Sequence, residues 1–424
     1  MKKLRFIFLL SFLSLVVFNS CEDKLFETFK ANVPIYLSFD EIRSSVKNEP
    51  ANAITSPGKI YFKDNYIFIN EYLKGIHVID NSDPSSPQNI SFIAIPGNID
   101  MSVKNNILYA DSYVDLVAID ISDINNISVV DREKEIFPYT LPPYDYTYRV
   151  AKIDYTKGIV IGWKIETVTE EVSNQYWPYP IFLDGVEINS VYSGLSSVGG
   201  GQMVYGIGGS MARFVADDNN LFCVDESTLN IVDISDESVL KKTSERSIGW
   251  QIETIFKKDD NLFIGSQTGM IIVDVSNPNN PCVVSNYWHV TSCDPVVVKD
   301  NYAWVSLRQG TDCGGGTNTL DVVDISNLSE PEAVKSYPMT NPYGLAIADT
   351  TLFLCDGSAG LKVFNINNPL DISLISTFSD IHAYDVIAYN DILMLIGDDG
   401  LYQYDYSDIE NIVLLSKIGV EGEE

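Results

Sequence analysis

The sequence has little of what usually announces chemistry. Only three of its 424 residues are histidine (His77, His289 and His382), and no two stand at metal-ligand spacing. Basic residues are scarce: 28 lysines and arginines face 58 aspartates and glutamates, for a net charge of −30. Such a chain repels nucleic acid and anionic lipid and favours cations or basic partners. No Gly-x-Ser-x-Gly elbow occurs. The glycine-rich stretches 199–201 and 206–209 lack the Lys-Ser/Thr pair of a phosphate loop and do not open a helix. Helical periodicity is nearly absent, the exception being SFDEIRSSV, where Ser38 and Glu41 are placed as a capping box.

There is one long apolar run, Phe6 to Phe18, shorter than the ~20 residues that span a bilayer as a helix. It follows Lys2, Lys3 and Arg5 and ends at Asn19, Ser20 and Cys21, the order of a secretory signal over residues 1–20. A cysteine directly after a small residue resembles the lipobox of bacterial lipoproteins, which implies lipidation of Cys21 and an anchor made by lipid alone. Glu22 and Asp23 resemble the acidic export tag of Bacteroidetes surface lipoproteins. The expected address is therefore the outer membrane, lipid-anchored and exposed at the cell surface. Removing the signal takes the net charge to −33 and leaves five cysteines besides Cys21. In an oxidising compartment an odd number leaves at least one thiol free.

A phrase recurs along the chain: an apolar strand, an Asp or Asn, then a turn rich in Ser, Asn and Pro. It reads GIHVIDNSDPSSP from Gly75, DLVAIDISDINN from Asp115, LNIVDISDES from Leu229 and GMIIVDVSNPNNP from Gly269. It continues as TLDVVDISNLSEP from Thr319, GLKVFNINNPLD from Gly360 and GLYQYDYSDIEN from Gly400. The anchors are Asp80, Asp120, Asp233, Asp274, Asp324, Asn365 and Asp405. Their repetition argues that each carboxylate satisfies backbone N–H groups in its own turn. About ten residues upstream of each phrase lies another apolar strand behind a polar turn, as in KDNYIFIN and KDDNLFIG. Four strands in ~40–45 residues, repeated, are propeller blades.

The phrases resemble the LVIVD-repeat β-propellers of exported bacterial and archaeal proteins. The resemblance covers residues 55–417 and implies an all-β fold, a single β-propeller of four-stranded blades. It implies nothing about activity. The gap from Asp120 to Asp233 holds YRVAKIDYTKGIVIGWKI, which reads like the first two strands of a further blade. Eight blades, the third degenerate, are therefore preferred over seven with an insertion in the irregular region 131–210. Residues 21–54 are expected as a lipidated tether with a short helix, 418–424 as an acidic tail. Ring closure is expected to use Val33–Leu37 as a supplementary strand.

In such meanders the second-to-third-strand loops and the blade-to-blade connections share one face. The irregular segments 137–148, 172–210 and 308–318 all fall there, which makes it the expected binding face. Cys293 and Cys313 belong to that face and are expected to form a disulfide, worth ~3 kcal/mol in the chain-entropy model. Cys223 and Cys355 read as buried hydrophobes. Asp100, Glu253, Asp294 and Asp385 recur at the entries of innermost strands. They either cap those strands or ring the channel mouth and coordinate calcium through oxygen. Tyr176, Trp177 and Tyr179, with Tyr139, Tyr144, Tyr146 and Tyr148, either stack on a sugar or pack the insertion down.

The Ser-x-Asp-x-Gly boxes of sialidases are absent, as is the recurrent Trp motif of quinone-binding propellers. The leading expectation is a surface-anchored, non-enzymatic module binding a protein or glycan partner without a dedicated cofactor. A glycoside hydrolase with non-local catalytic carboxylates and a structural envelope component are the alternatives.

Overall fold

Every repeat phrase folds the same way because its strands are apolar on both faces and its turns are closed by Asx hydrogen bonds. The computed structural model describes residues 26–171, 191–192, 205–288, 295–309 and 317–421. They form two units, one of residues 1–39 with 140–183, the other of residues 40–139 with 184–424.

The larger unit contains seven four-stranded antiparallel meanders among its described residues. Blade 1 runs Pro57–Lys63, Tyr66–Glu71, Gly75–Asp80 and Gln88–Ala94. Blade 2 begins at Met101–Lys104, blade 3 at Phe214–Ala216 and blade 4 at Ile252–Lys258; blades 5, 6 and 7 begin at Val296–Lys299, Leu345–Ala348 and Ala383–Tyr389. The second and third strands are almost wholly buried, whereas outer strands such as Glu332–Pro338 are largely exposed. In each blade the outer pair carries one register shift, at Val78/Ile79 in the first and Gln403/Tyr404 in the last, the extra twist a bulge supplies.

Each of the seven anchors accepts the backbone N–H two residues on, at 2.8–2.9 Å, from Ser82, Ser122, Ser235, Ser276, Ser326, Asn367 and Ser407. Hydrogen bonds from the serine hold the six aspartates below the usual carboxylate range. The structural reading of the anchor is correct.

Successive blades pack through shared apolar clusters. Blade 7 packs on blade 1, with Ile387, Met394 and Ile396 against Ile60, Phe62 and Ile69. That seam also carries Gln403 Nε2 donating to Asn81 Oδ1 at 2.7 Å and Ser416 Oγ donating to the Pro84 carbonyl at 2.6 Å. The ring thus closes face to face between whole blades, while the expected supplementary strand Val33–Leu37 pairs with residues 159–164 instead. Residues 47–50 instead add to the outer edge of blade 1.

The smaller unit corrects two expectations. Phe26–Leu37, expected as tether, is a strand that pairs antiparallel along its whole length with Ile159–Glu171. Arg149–Val150 adds to its other edge. The segment expected to start a degenerate third blade therefore belongs to this sheet. Its 13-residue strand is buried only at Ile159 and Val160 and opens to solvent beyond them, instead of being buried on both faces. Asn32, fully buried, ties the sheet to the loop through donations to the Asp145 and Tyr148 carbonyls at 2.9 and 2.8 Å. Tyr144 packs on Tyr146 and edge-on to Trp163, whose Nε1 donates to the Pro142 carbonyl at 2.9 Å. The short helix is present at Phe39–Ser44.

Candidate functional site

The centre of the propeller is occupied by its own chain. Before entering blade 3, residues 205–213 cross the innermost strands. Gly206 N donates to the Val103 carbonyl of blade 2 at 3.0 Å. Ile207 and Gly208 pair with Phe62 and Tyr61 of blade 1. Ser210 Oγ accepts Leu345 N of blade 6 at 2.7 Å, and the Ala212 carbonyl accepts Ile255 N of blade 4 at 3.0 Å. Met211 lies in the apolar cluster of blades 7 and 1. This plug fits only because residue 206 is glycine: a Cβ there would stand 2.0 Å from the Tyr61 ring.

Three of the four predicted channel acids can be placed. Asp100 is buried, with Lys59 Nζ 2.5 Å from Oδ2. The same oxygen accepts the amide of Arg213 in the plug, and Oδ1 accepts Met101 N at 2.7 Å. Burial drives the Lys59 ammonium down, against the pull of Asp100. Asp385 is fully buried; Oδ1 accepts Val386 N at 2.9 Å, and Oδ2 has no partner among the described residues. Burial pushes its carboxyl far above the usual range. Glu253 is half-buried and accepts Gln267 Nε2 at 3.1 Å. Asp100 and Asp385 thus each accept the next amide of their own chain, and the cation beside Asp100 is a lysine. No group of three metal-ligating side chains occurs among the described residues. Asp294, His289, Cys293, Cys313, Cys21, Tyr176, Trp177 and Tyr179 lie outside the described residues. Cys223 and Cys355 are buried, and Cys282 is exposed at the start of an outer strand.

A second set of acids escaped the sequence reading. Glu71, Asp111 and Asp356 lie at the end of the second strand of their blades or directly after it, and turn back onto the connection leading into the first strand. Asp111 Oδ1 accepts Ile99 N, Asp100 N and Asn98 Nδ2 at 2.8–2.9 Å. Burial pushes its carboxyl up to about 7. Asp356 accepts Thr340 N and Asn341 N at 3.0 and 2.7 Å and pairs with Lys362. Glu71 accepts Thr55 N and Ser56 N and meets His77 Nε2 at 3.1 Å. Burial alone would raise Glu71, but the His77 and Thr55 hydrogen bonds outweigh it and hold it at about 2. The signal was an acid closing an apolar strand, as in IFINE and LYAD.

The loop-rich face carries a different chemistry. Trp250 and Trp288, at the blade 3–4 and 4–5 connections, are 64% and 69% exposed. Arg308 directly follows the second strand of blade 5, and its guanidinium lies 4.3 Å over the Tyr343 ring. Tyr343 meets Tyr384 edge-on at 5.1 Å, and Tyr384 lies 4.9 Å from His382. Asp398 holds both, accepting the Tyr384 hydroxyl and lying 2.6 Å from His382 Nδ1.

The LVIVD repeat matches residues 58–92, 258–288 and 292–339, which fall on blades 1, 4 and 5. No curated protein sequence matches the chain. Among solved structures, a functionally unknown protein from Desulfotomaculum acetoxidans aligns with a TM-score of 0.51 at 11% identity, over 85% of this chain and 100% of that one. The periplasmic gluconolactonase PpgL of Pseudomonas aeruginosa aligns with a TM-score of 0.50 at 8% identity, over 87% and 97%. BamB from Moraxella catarrhalis gives 0.47 at 9%, over 89% and 97%. At such identities the likeness concerns the fold alone. Repeat phrases, blade geometry and structural neighbours agree: the chain is a β-propeller that carries LVIVD repeats.

Proposed function

We propose that the protein is a non-enzymatic binding module. A lipid on Cys21 holds it at the outer-membrane surface, and its loop-rich face meets a glycan or protein partner. The observation that carries this reading is the plug. With residues 205–213 crossing the centre and Asp100 committed to Lys59 and Arg213 N, recognition falls to the rim. There Trp250 and Trp288 expose large amphipathic rings on a rigid scaffold, the residue type that dominates binding energy at interfaces. The acidic chain selects against nucleic acid.

The test is a glycan-array and envelope pull-down screen with the chain from Glu22 onward, run with calcium and with chelator. Capture of a defined glycan or protein, lost on Trp250→Ala with Trp288→Ala, supports the reading. Capture that survives both substitutions and removal of 172–204 overturns it. Calcium-dependent capture would return Asp100, Glu253, Asp294 and Asp385 to the site.

A further inference from the structure

We infer that Arg308 is the anion-recognising residue of a carbohydrate subsite on the loop-rich face, and that its ligand is a sugar bearing a carboxylate. The inference rests on the binding reading above and names the ligand class. Arg308 is only 8% exposed, and no carboxylate among the described residues pairs with it. Three of the other described arginines find acids: Arg43 and Arg132 share Asp115, and Arg149 meets Glu27. Arg213 donates to the Glu253 carbonyl instead, and Arg246 is exposed to water, whereas Arg308 is buried. Burying a guanidinium without an anion is costly, and the Tyr343 stack offsets only part of that cost. A stacked guanidinium that pairs with no acid among the described residues keeps its N–H fork available, and that fork matches a carboxylate edge in two parallel hydrogen bonds.

Two of the neighbours, His382 and Tyr384, are half-buried and can meet a sugar ring, whereas Tyr343 is buried and supports them. Tyr343, His382 and Tyr384 form a contiguous aromatic group spanning the connections before blades 6 and 7. Asp398 orients His382 through Nδ1, and His382 Nε2 is a hydrogen-bonding atom with no partner among the described residues. Tyr343 is held in advance. Its amide donates to the Cys355 carbonyl and its carbonyl accepts Ser306 Oγ, both at 2.7 Å. Its hydroxyl accepts Asn341 Nδ2 at 3.2 Å. Gly357, at φ +53°, lies so close that a Cβ would stand 2.8 Å from the Tyr343 ring. A site fixed in this way loses little freedom on binding. The negative charge of the chain opposes polyanions, so a single carboxylate on a neutral ring fits better than a polyphosphate.

The test titrates the full chain, purified in detergent, with D-glucuronate and D-galacturonate against glucose, galactose and acetate, read by calorimetry or saturation-transfer NMR. The expected result is a uronate affinity at least about tenfold above that of the neutral parent sugar. Arg308→Gln should abolish that preference, and Arg308→Lys should restore only part of it. His382→Gln, at a half-exposed position, should weaken uronate binding severalfold while Arg308 and its stack stay in place. Melting curves establish that each variant folds. Equal binding of uronate and neutral sugar, retention of the preference by Arg308→Gln, acetate binding as tightly as uronate, or no uronate binding into the tens of millimolar each overturn the inference. Partner capture through Trp250 and Trp288 persisting alongside any of these would leave the binding reading standing.

Discussion

Lys59 and Asp100 meet at 2.5 Å with both side chains almost wholly buried, joining blade 1 to blade 2 beside the plug. Breaking such a pair leaves one charge without its partner. Lys59→Met should therefore cost about 3–5 kcal/mol of unfolding free energy, and adding Asp100→Leu should recover part of it. Urea titrations of the single and double variants check this. Equal loss in both would mean that the pair is not the unit of stability.

Asp111 gives stability a pH dependence of unusual sign. Its folded carboxyl titrates at about 7, above the unfolded value, so its contribution is full in acid and is lost as pH rises through 7. Asp111→Asn keeps an acceptor for Ile99 N and Asp100 N but cannot ionise. Relative to the variant, the wild type should lose stability between pH 5 and pH 8, as urea midpoints at the two pH values would show. Glu71 works in the opposite direction: held at about 2, it contributes above its unfolded value and is lost only as pH falls toward 2.

The seven turn anchors make a local, repeatable contribution. Asp274→Ala removes the acceptor of Ser276 N and should cost ~0.5–2 kcal/mol, as loss of a comparable side-chain cap does. Asp274→Asn should be nearly neutral, because Asn365 already serves blade 6 in the same way. Thermal unfolding of the pair checks both.

Gly206→Ala places a methyl group against the Tyr61 ring and should destabilise by ~1–3 kcal/mol through overpacking. Limited proteolysis should then cut near residues 205–213 faster than in the wild type. An unchanged cleavage pattern would mean that the plug tolerates displacement.

Trp250→Ala and Trp288→Ala should leave stability within ~0.5 kcal/mol, since both rings are exposed, while partner capture falls. A large loss of stability with capture intact would make the rings structural.

What was legible in the sequence was local. The anchors could be read because each acts on an amide two residues away, and the blades because their inner strands are apolar throughout. The plug could not be read: Tyr61 meets Gly206 across 145 residues, and nothing near Gly206 names that partner. The pairing of Phe26–Leu37 with Ile159–Glu171 is equally remote, which is why the latter passed for a blade. Asp100 and Asp385 could be put near the starts of innermost strands from position alone, but Lys59, which neutralises Asp100, lies one blade earlier and carries no motif. Arg308 stood inside a segment marked as irregular, yet its lack of an acid partner among the described residues is a property of the folded face, invisible in a string containing 58 acids.

The plug also constrains the order of assembly. Residues 205–213 lie between blades 2 and 3 in the chain, whereas the seam that shuts the ring joins Asn81 to Gln403 across 322 residues. Joining those distant ends carries the largest loop-closure cost, so the seam forms late. By then synthesis has already delivered the plug, and the later blades gather around it as a barrel is built around its stave. Once the seam is shut, the plug is held by hydrogen bonds to blades 1, 2, 4 and 6 at once, so its release requires several distant contacts to break together.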